Sequence, residues 1–170
     1  EYISFDDSDP VVDYKAGTKK ITVTSNIPWE LGWYSPNEIV SITPESGQPG
    51  ETELTVTYNE NTTYNQRSFY FSLYKQGGVD GPKCMFTQTP DPNKAVLITG
   101  KLETPTGVNQ ILTENDNFLN VAYMQDNGNY RIYAQKGVQF KFEVTDGPTG
   151  TVKYTENLTL TEDTVKNITI

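Results

Sequence analysis

The chain has 170 residues, with 22 acidic side chains against 13 basic, no histidine and one cysteine, which gives a net charge of −9 and an isoelectric point near 4.4. Such a surface lacks the cationic face that displaces counterions from nucleic-acid phosphates or holds anionic headgroups, and the missing histidine removes the commonest general base and zinc ligand. The lone Cys84 excludes an intrachain disulfide, and no apolar run approaches the ~20 residues of a membrane-spanning helix.

Taken in chain order, the pattern is period-two alternation. The chain opens on strand-like "EYISF". Ile21, Val23 and Ser25 then alternate with Thr22 and Thr24, and Trp29 falls in the same phase unless Pro28 introduces a bulge. Trp33 and Tyr34 follow Gly32 and precede "SPNE", where the alternation dissolves into a loop. "SG" at 46–47 and "PG" at 49–50 are turn dipeptides ahead of the run Leu54, Val56, Tyr58. Phe69, Phe71 and Leu73 share one face, with Tyr70 and Tyr74 on the other. A strand ends near Phe86, and "QTPDPNKA" at 88–95 holds two prolines that resist ladder pairing.

A second series begins at Val96. Leu119, Val121 and Tyr123 share a face. Tyr130, Ile132 and Ala134 follow, then Phe140, Phe142 and Val144, then Val152 and Tyr154, then Leu158 and Leu160. "NGN" at 127–129 and Gly137 offer the positive φ of tight hairpins, and "TENDN" at 113–117 suits a single turn. Short runs bounded by Gly, Pro, Asn and Asp predict an all-β chain of two tandem β-sandwiches, 1–90 and 95–170, joined by a short stiff linker. An apolar fraction of 35% suits two thin cores better than one large one.

Candidate chemistry is sparse. Trp29 reads as a core plug, since large aromatics dominate the burial energy of small cores. Trp33 and Tyr34 either cover a core end or await a partner. Tyr70 and Tyr74 form either a stacking strip for a sugar ring or an ordinary cross-strand pair. Trp33, Tyr34, Tyr70 and Tyr74 are therefore the candidate carbohydrate-binding residues. The acidic stretches "DDSD" at 6–9, "ENDN" at 114–117 and "DN" at 126–127 lack the spaced carboxylates and glycine of a calcium loop, and turn chemistry accounts for them. No metal and no cofactor are expected. Cys84 lies in an apolar run and reads as an inert core residue. Gln88 is placed to satisfy buried backbone groups near the domain end. Sequons stand at Asn61, Asn157 and Asn167, and "DTV" at 163–165 is similar to an O-glycosylation motif of exported Bacteroidetes proteins.

Residues 18–90 resemble the BACON domain. The marks are "ITVTSNIPW" at 21–29, "SITPESGQPGETELTVTYNEN" at 41–61, Arg67 opening an alternating strand, and "FTQTP" at 86–90 with Gln88. The stretch "GGVDGPKC" departs from that pattern and predicts a longer hairpin ahead of the last strand. The second half resembles a carboxypeptidase-regulatory, transthyretin-like sandwich through "ITGKLETP" at 98–105, "DNGNYRIYAQKGVQFKFEV" at 126–144 and "LTLTEDTVKNITI" at 158–170; "TPTGVNQ" replaces that family's usual glycine-proline stretch.

These resemblances imply immunoglobulin-like folds in an exported protein of the Bacteroidetes envelope. Such a protein would be an outer-membrane lipoprotein or secreted, with its export signal encoded upstream of Glu1. The function expected is that of a monomeric, non-catalytic accessory protein that spaces, presents or binds in a glycan-related or adhesion setting. Its partners would be a glycan or another surface protein. Two competitors stand beside the spacer role. One is carbohydrate binding, which an exposed Trp33 would favour. The other is a hydrolase with a facing carboxylate pair.

Overall fold

A computed structural model of the chain describes residues 1–103, 109–115, 118–123, 125, 127–146 and 149–170. They form two compact units: Glu1–Thr62 with Gln66–Pro90, and Thr63–Asn65 with Asp91–Ile170. Among the described residues both units are built from strands, and no helix is long and apolar enough to cross a membrane.

In the first unit the strands are β1 (Ile3–Phe5), β2 (Val11–Val12), β3 (Gly17–Ser25), β4 (Trp29–Tyr34), β5 (Ile39–Thr43), β6 (Ser46–Gly47), β7 (Gly50–Tyr58), β8 (Arg67–Lys75) and β9 (Lys83–Gln88). One sheet runs in the order β1-β3-β7-β5, the other β2-β9-β8-β4-β6. Their inner faces bury Ile21, Val23, Leu54 and Val56 from the first sheet, and Trp29, Phe69, Phe71, Leu73 and Phe86 from the second. Phe69 stacks on Phe86 at 5.0 Å, and Phe5 meets Phe71 edge-on at 5.5 Å.

Trp29 is buried, but in a different sheet from Ile21 and Val23. The crossing occurs at Asn26–Pro28, where the buried Ser25 Oγ accepts the Ile27 N–H at 3.1 Å and so satisfies the corner locally. "SG" at 46–47 is likewise a short strand, paired with Trp29 and Glu30, rather than a free turn. The predicted long hairpin is present: Gln76–Pro82 loops between β8 and β9, with the Pro82 carbonyl returning to accept the Leu73 N–H.

Gln88 closes this unit. Its side chain is fully buried, and its amide nitrogen lies 3.0–3.3 Å from the carbonyls of Asp13, Tyr14, Lys15 and Asn59. Its oxygen accepts the Arg67 Nε–H at 2.9 Å, and Arg67 Nη2 donates to the Asn59 carbonyl. Loop carbonyls that would otherwise be desolvated without partners are thereby paired. Asn61, also fully buried, donates to the Thr89 carbonyl at 2.9 Å.

The second unit holds β10 (Ala95–Glu103), β11 (Asn109–Asn115), β12 (Phe118–Tyr123), β13 (Asn129–Gln135), β14 (Gln139–Asp146), β15 (Thr151–Thr159), β16 (Thr164–Val165) and β17 (Ile168–Thr169). The Asp91 carboxylate accepts the Asn93 N–H, and its carbonyl accepts from Lys94 and Ala95, so a hydrogen-bonded turn leads into β10. One sheet is β13-β10-β16 with β17 also on β10; the other is β12-β11-β14-β15. Val96, Ile98, Ile111, Tyr130, Ile132, Phe140, Phe142 and Val144 fill the core. Gly128 and Gly137 take φ of +83° and +72° at their hairpins.

One face is assigned here and one reading changes. Leu119 and Val121 point outward, because the ladder sets Ala122 against the buried Ile111. Thr113–Asn115 belong to β11 rather than to a turn; residues 116, 117 and 126 of the acidic stretches lie outside the described residues.

The C-terminal segment is fastened by polar contacts. Tyr130 donates its hydroxyl to the Lys166 carbonyl, and burial pushes that phenol up to about 12. Lys166 Nζ pairs with Glu156 at 2.5 Å, and Tyr154 donates to the same carboxylate.

Replacing Gln88 by Ala takes the donor from the Asp13 and Lys15 carbonyls and the acceptor from the Arg67 Nε–H, while Tyr14 and Asn59 keep the Asn61 N–H and Arg67 Nη2. It should lower the unfolding free energy by about 3 kcal/mol in urea titration, and a loss below about 1 kcal/mol would show that the closure is dispensable. The Glu156 carboxyl is held below its ordinary value of 4.5 by the Lys166 ammonium, then by Tyr154. Its contribution is therefore complete above pH 4.5 and disappears as pH falls through the lower folded-state value. A Glu156→Gln variant should be less stable at neutral pH, yet lose less on acidification than the parent. Calorimetry from neutral pH to below 4.5 checks this, and parallel acid limbs would contradict it.

Candidate functional site

The outward face of the sheet β2-β9-β8-β4-β6 carries the aromatic residues of interest. On β8 alternation sends Phe69, Phe71 and Leu73 inward and Ser68, Tyr70, Ser72 and Tyr74 outward. The neighbouring β9 buries Cys84 and Phe86 and turns Lys83 and Met85 out. Register places Tyr70 across from Met85 and Ser72 across from Lys83.

Trp33 reaches this face through a bulge. Strands β4 and β8 pair Trp29 with Lys75, Glu30 with Tyr74 and Leu31 with Leu73; the ladder then slips before Tyr34 meets Phe71. The extra residue sits at Gly32–Trp33, opposite Ser72. Ser72 Oγ accepts the Trp33 N–H and donates to the Trp33 carbonyl, both at 2.9 Å. Ser72 is 1% exposed, so this clamp is shielded from water. Gly32 is required beneath it: a Cβ there would lie 2.6 Å from the Tyr74 ring and 2.8 Å from Ser72 Oγ.

Trp33 and Tyr34 thus lie in a strand rather than in a loop, and they part company. Trp33 is 54% exposed and packs beside Tyr70, ring centroids 5.2 Å apart and planes inclined by 32°. Tyr34 is set opposite Phe71, on the other face of the strand. Tyr74 covers Gly32 and Glu30 is its cross-strand partner, so it borders the Trp33–Tyr70 pair. The structure therefore brings together Trp33 and Tyr70, with Tyr74 alongside; Tyr34 is 37% exposed as well, but its ladder partner is Phe71 rather than a residue of the outward row.

Sequence reasoning missed Lys83, Ser72 and Met85. Lys83 Nζ rests 5.0 Å from the centre of the Tyr70 ring, and Met85 is 38% exposed. The signal for the bulge was present, since a lone glycine inside a strand pattern marks one. The approach of β9 to β8 has no local signal.

The remaining candidates are occupied by structural roles. Cys84 is fully buried, and burial, followed by the charges of Asp7, Asp9 and Asp6, pushes its thiol up to about 12. Such a thiol is not a nucleophile at neutral pH. In the 6–9 stretch the Asp6 carboxylate accepts the Thr22 N–H, Asp7 pairs with Lys19 at 3.2 Å, and Asp9 accepts from Ser8. Among the described residues no group of three or more His, Cys, Asp or Glu is placed to hold a metal.

No family model and no curated protein matches the chain. Among solved structures it is similar to a GH5 xyloglucanase of Bacteroides ovatus in complex with a XXXG heptasaccharide, at 14% identity and a TM-score of 0.43, over 52% of this chain and 19% of that one. It is also similar to the Bacillus anthracis TIE protein, at 10% identity and a TM-score of 0.35, over 98% of this chain and 40% of that one. The periplasmic chaperone SfaE matches at 11% identity and a TM-score of 0.36, over 93% of this chain and all of SfaE. The chain thus spans less than half the length of the first two, and these distant likenesses assign no family.

Removing the Ser72 hydroxyl tests the clamp. Ser72→Ala should cost about 1–2 kcal/mol and loosen Trp33 from Tyr70. The near-ultraviolet circular dichroism of the coupled rings should weaken while the far-ultraviolet spectrum stays that of the parent. An unchanged near-ultraviolet spectrum would mean that the bulge holds itself.

Proposed function

We propose that this chain is a non-catalytic accessory module whose first unit binds a glycan across the Trp33–Tyr70 face. The observation that carries the reading is the exposure of Trp33 beside Tyr70, its backbone held by the buried Ser72 hydroxyl and its ring packed against the Tyr70 ring. Presenting a large aromatic to water forfeits the burial energy it could gain in the core, and a pre-set ring loses little freedom when a ligand covers it. Ring faces carry the negative end of the aromatic quadrupole, which suits the polarised C–H bonds of a sugar face.

Several features favour a non-catalytic role. The chain has no histidine, and its one thiol is buried and protonated. Among the described residues the carboxyls with displaced titration, Glu1, Asp6 and Glu156, are held below their ordinary values. A glycosidase general acid needs the opposite. The BACON-like residues of the first half and the carboxypeptidase-regulatory-like residues of the second support an exported, envelope-attached setting. There the second unit would space or present the first, and the parent protein would be a lipoprotein or secreted.

A glycan array probed with the intact chain, followed by calorimetric titration of the hits, tests this reading. Binding in the micromolar range is expected, with Trp33→Ala weakening it at least about tenfold, roughly 1.4 kcal/mol. Tyr34→Ala should leave affinity within about twofold, because Tyr34 faces away from the pair. An array with no hits, or binding that survives Trp33→Ala, would overturn the proposal.

A further inference from the structure

The Trp33–Tyr70 face is flanked by a cation, and we infer that its ligand is an acidic glycan whose hexuronate carboxylate meets Lys83. This inference rests on the glycan reading above and adds the charge of the sugar. Trp33 and Lys83 lie on opposite sides of Ser72 in one cross-strand row, the first through the bulge of β4 and the second as the Ser72 partner on β9. Two strand spacings separate their backbones, about 10 Å, and Tyr70 leans between them, 5.2 Å from the indole and 5.0 Å from the ammonium. A sugar ring resting on Trp33 leaves its neighbour in the chain over Tyr70 and Lys83.

Lys83 is available for that contact. Lys19, Lys20, Lys75, Lys101, Lys141 and Lys166 each pair with a carboxylate. Among the described residues Lys83, like Lys15, Lys136 and Lys153, has no carboxylate within ion-pair distance; what sets it apart is its place, with the ammonium on the Tyr70 ring that packs beside Trp33. An exposed cation–π contact is weak and is readily exchanged for a carboxylate. Glu30, Asp7, Asp9 and Asp80, on the elements and loops that flank this face, each have other partners, Asp80 accepting the Gly81 N–H at 2.9 Å. Glu30 accepts the Gly77 N–H at 3.1 Å, beside Tyr74 and away from Lys83, while Asp7 is paired with Lys19 and Asp9 accepts from Ser8. On a chain of net charge −9, a cation left open beside an aromatic pair selects against neutral ligands in favour of one that brings its own carboxylate.

The test uses oligogalacturonate and its methyl ester, which share the same rings and differ in charge, titrated into the intact chain and into the Lys83→Gln and Trp33→Ala variants. The inference expects the acid form to bind at least tenfold more tightly than the ester. That preference should collapse in Lys83→Gln and shrink as salt rises, while Trp33→Ala loses both ligands. Equal binding of acid and ester, lost together in Trp33→Ala and untouched by Lys83→Gln, would overturn the acidic assignment and leave the glycan reading intact. Binding of neither, with no other glycan retained, would remove both and leave a protein partner as the occupant of this face. Circular dichroism of each variant confirms that it is folded.

Discussion

One buried carboxamide sets the frame of the first unit. Gln88 gathers carbonyls from residues 13–15 and from Asn59, and takes Arg67 as its donor. Arg67 and Gln88 are also cross-strand partners at one end of the β8–β9 ladder. Counting along that ladder places Tyr70 against Met85 and Ser72 against Lys83. A one-residue slip of β9 would bury Lys83 and Met85 and expose Cys84 and Phe86, so the polar closure at one end dictates which side chains face water further along. The stacked Phe69 and Phe86 reinforce the same register from the core side.

The two units solve the closing of a small sandwich differently. The first places a buried amide where loops converge. The second lays its C-terminal strands parallel to β10 and holds them through Tyr130, Lys166, Glu156 and Tyr154. The Gln88 and Asn61 amides and the Arg67 guanidinium keep their protonation in acid, whereas the second arrangement depends on an ion pair with a partly exposed carboxylate. The first closure is therefore indifferent to acid, and the second is not.

Much of this was legible from alternation. The core faces of Ile21 and Val23, of Phe69 to Leu73, and of Tyr130 to Val144 follow directly from period two, because a half-buried strand must present one face to each environment. The same reasoning found the outward Tyr70 and Tyr74, while the role of Gln88 was read from its place at the end of the unit rather than from alternation. It placed Trp33 in a loop because a bulge breaks period two without ending the strand, and Gly32 looks like a terminator when its neighbours are unknown. It took Leu119 and Val121 for a face without telling which one, since the partner Ile111 was out of view. Lys83 was beyond reach altogether: a lysine before an apolar run means nothing until the opposing strand supplies a ring beneath it.

The burial of Asn61 has a consequence for how the protein is made. Its side chain is fully enclosed, with the amide spent on the Thr89 carbonyl, yet it heads the triplet Asn61-Thr62-Thr63. Eukaryotic oligosaccharyltransferases modify such triplets on the nascent chain, before any fold can hide them. A bulky sugar attached there has no room beside Thr89, so secretion through an endoplasmic reticulum sets glycosylation and folding against each other at this residue. A host without that enzyme, or a Thr63→Ala substitution that removes the acceptor signal while keeping Asn61, avoids the conflict.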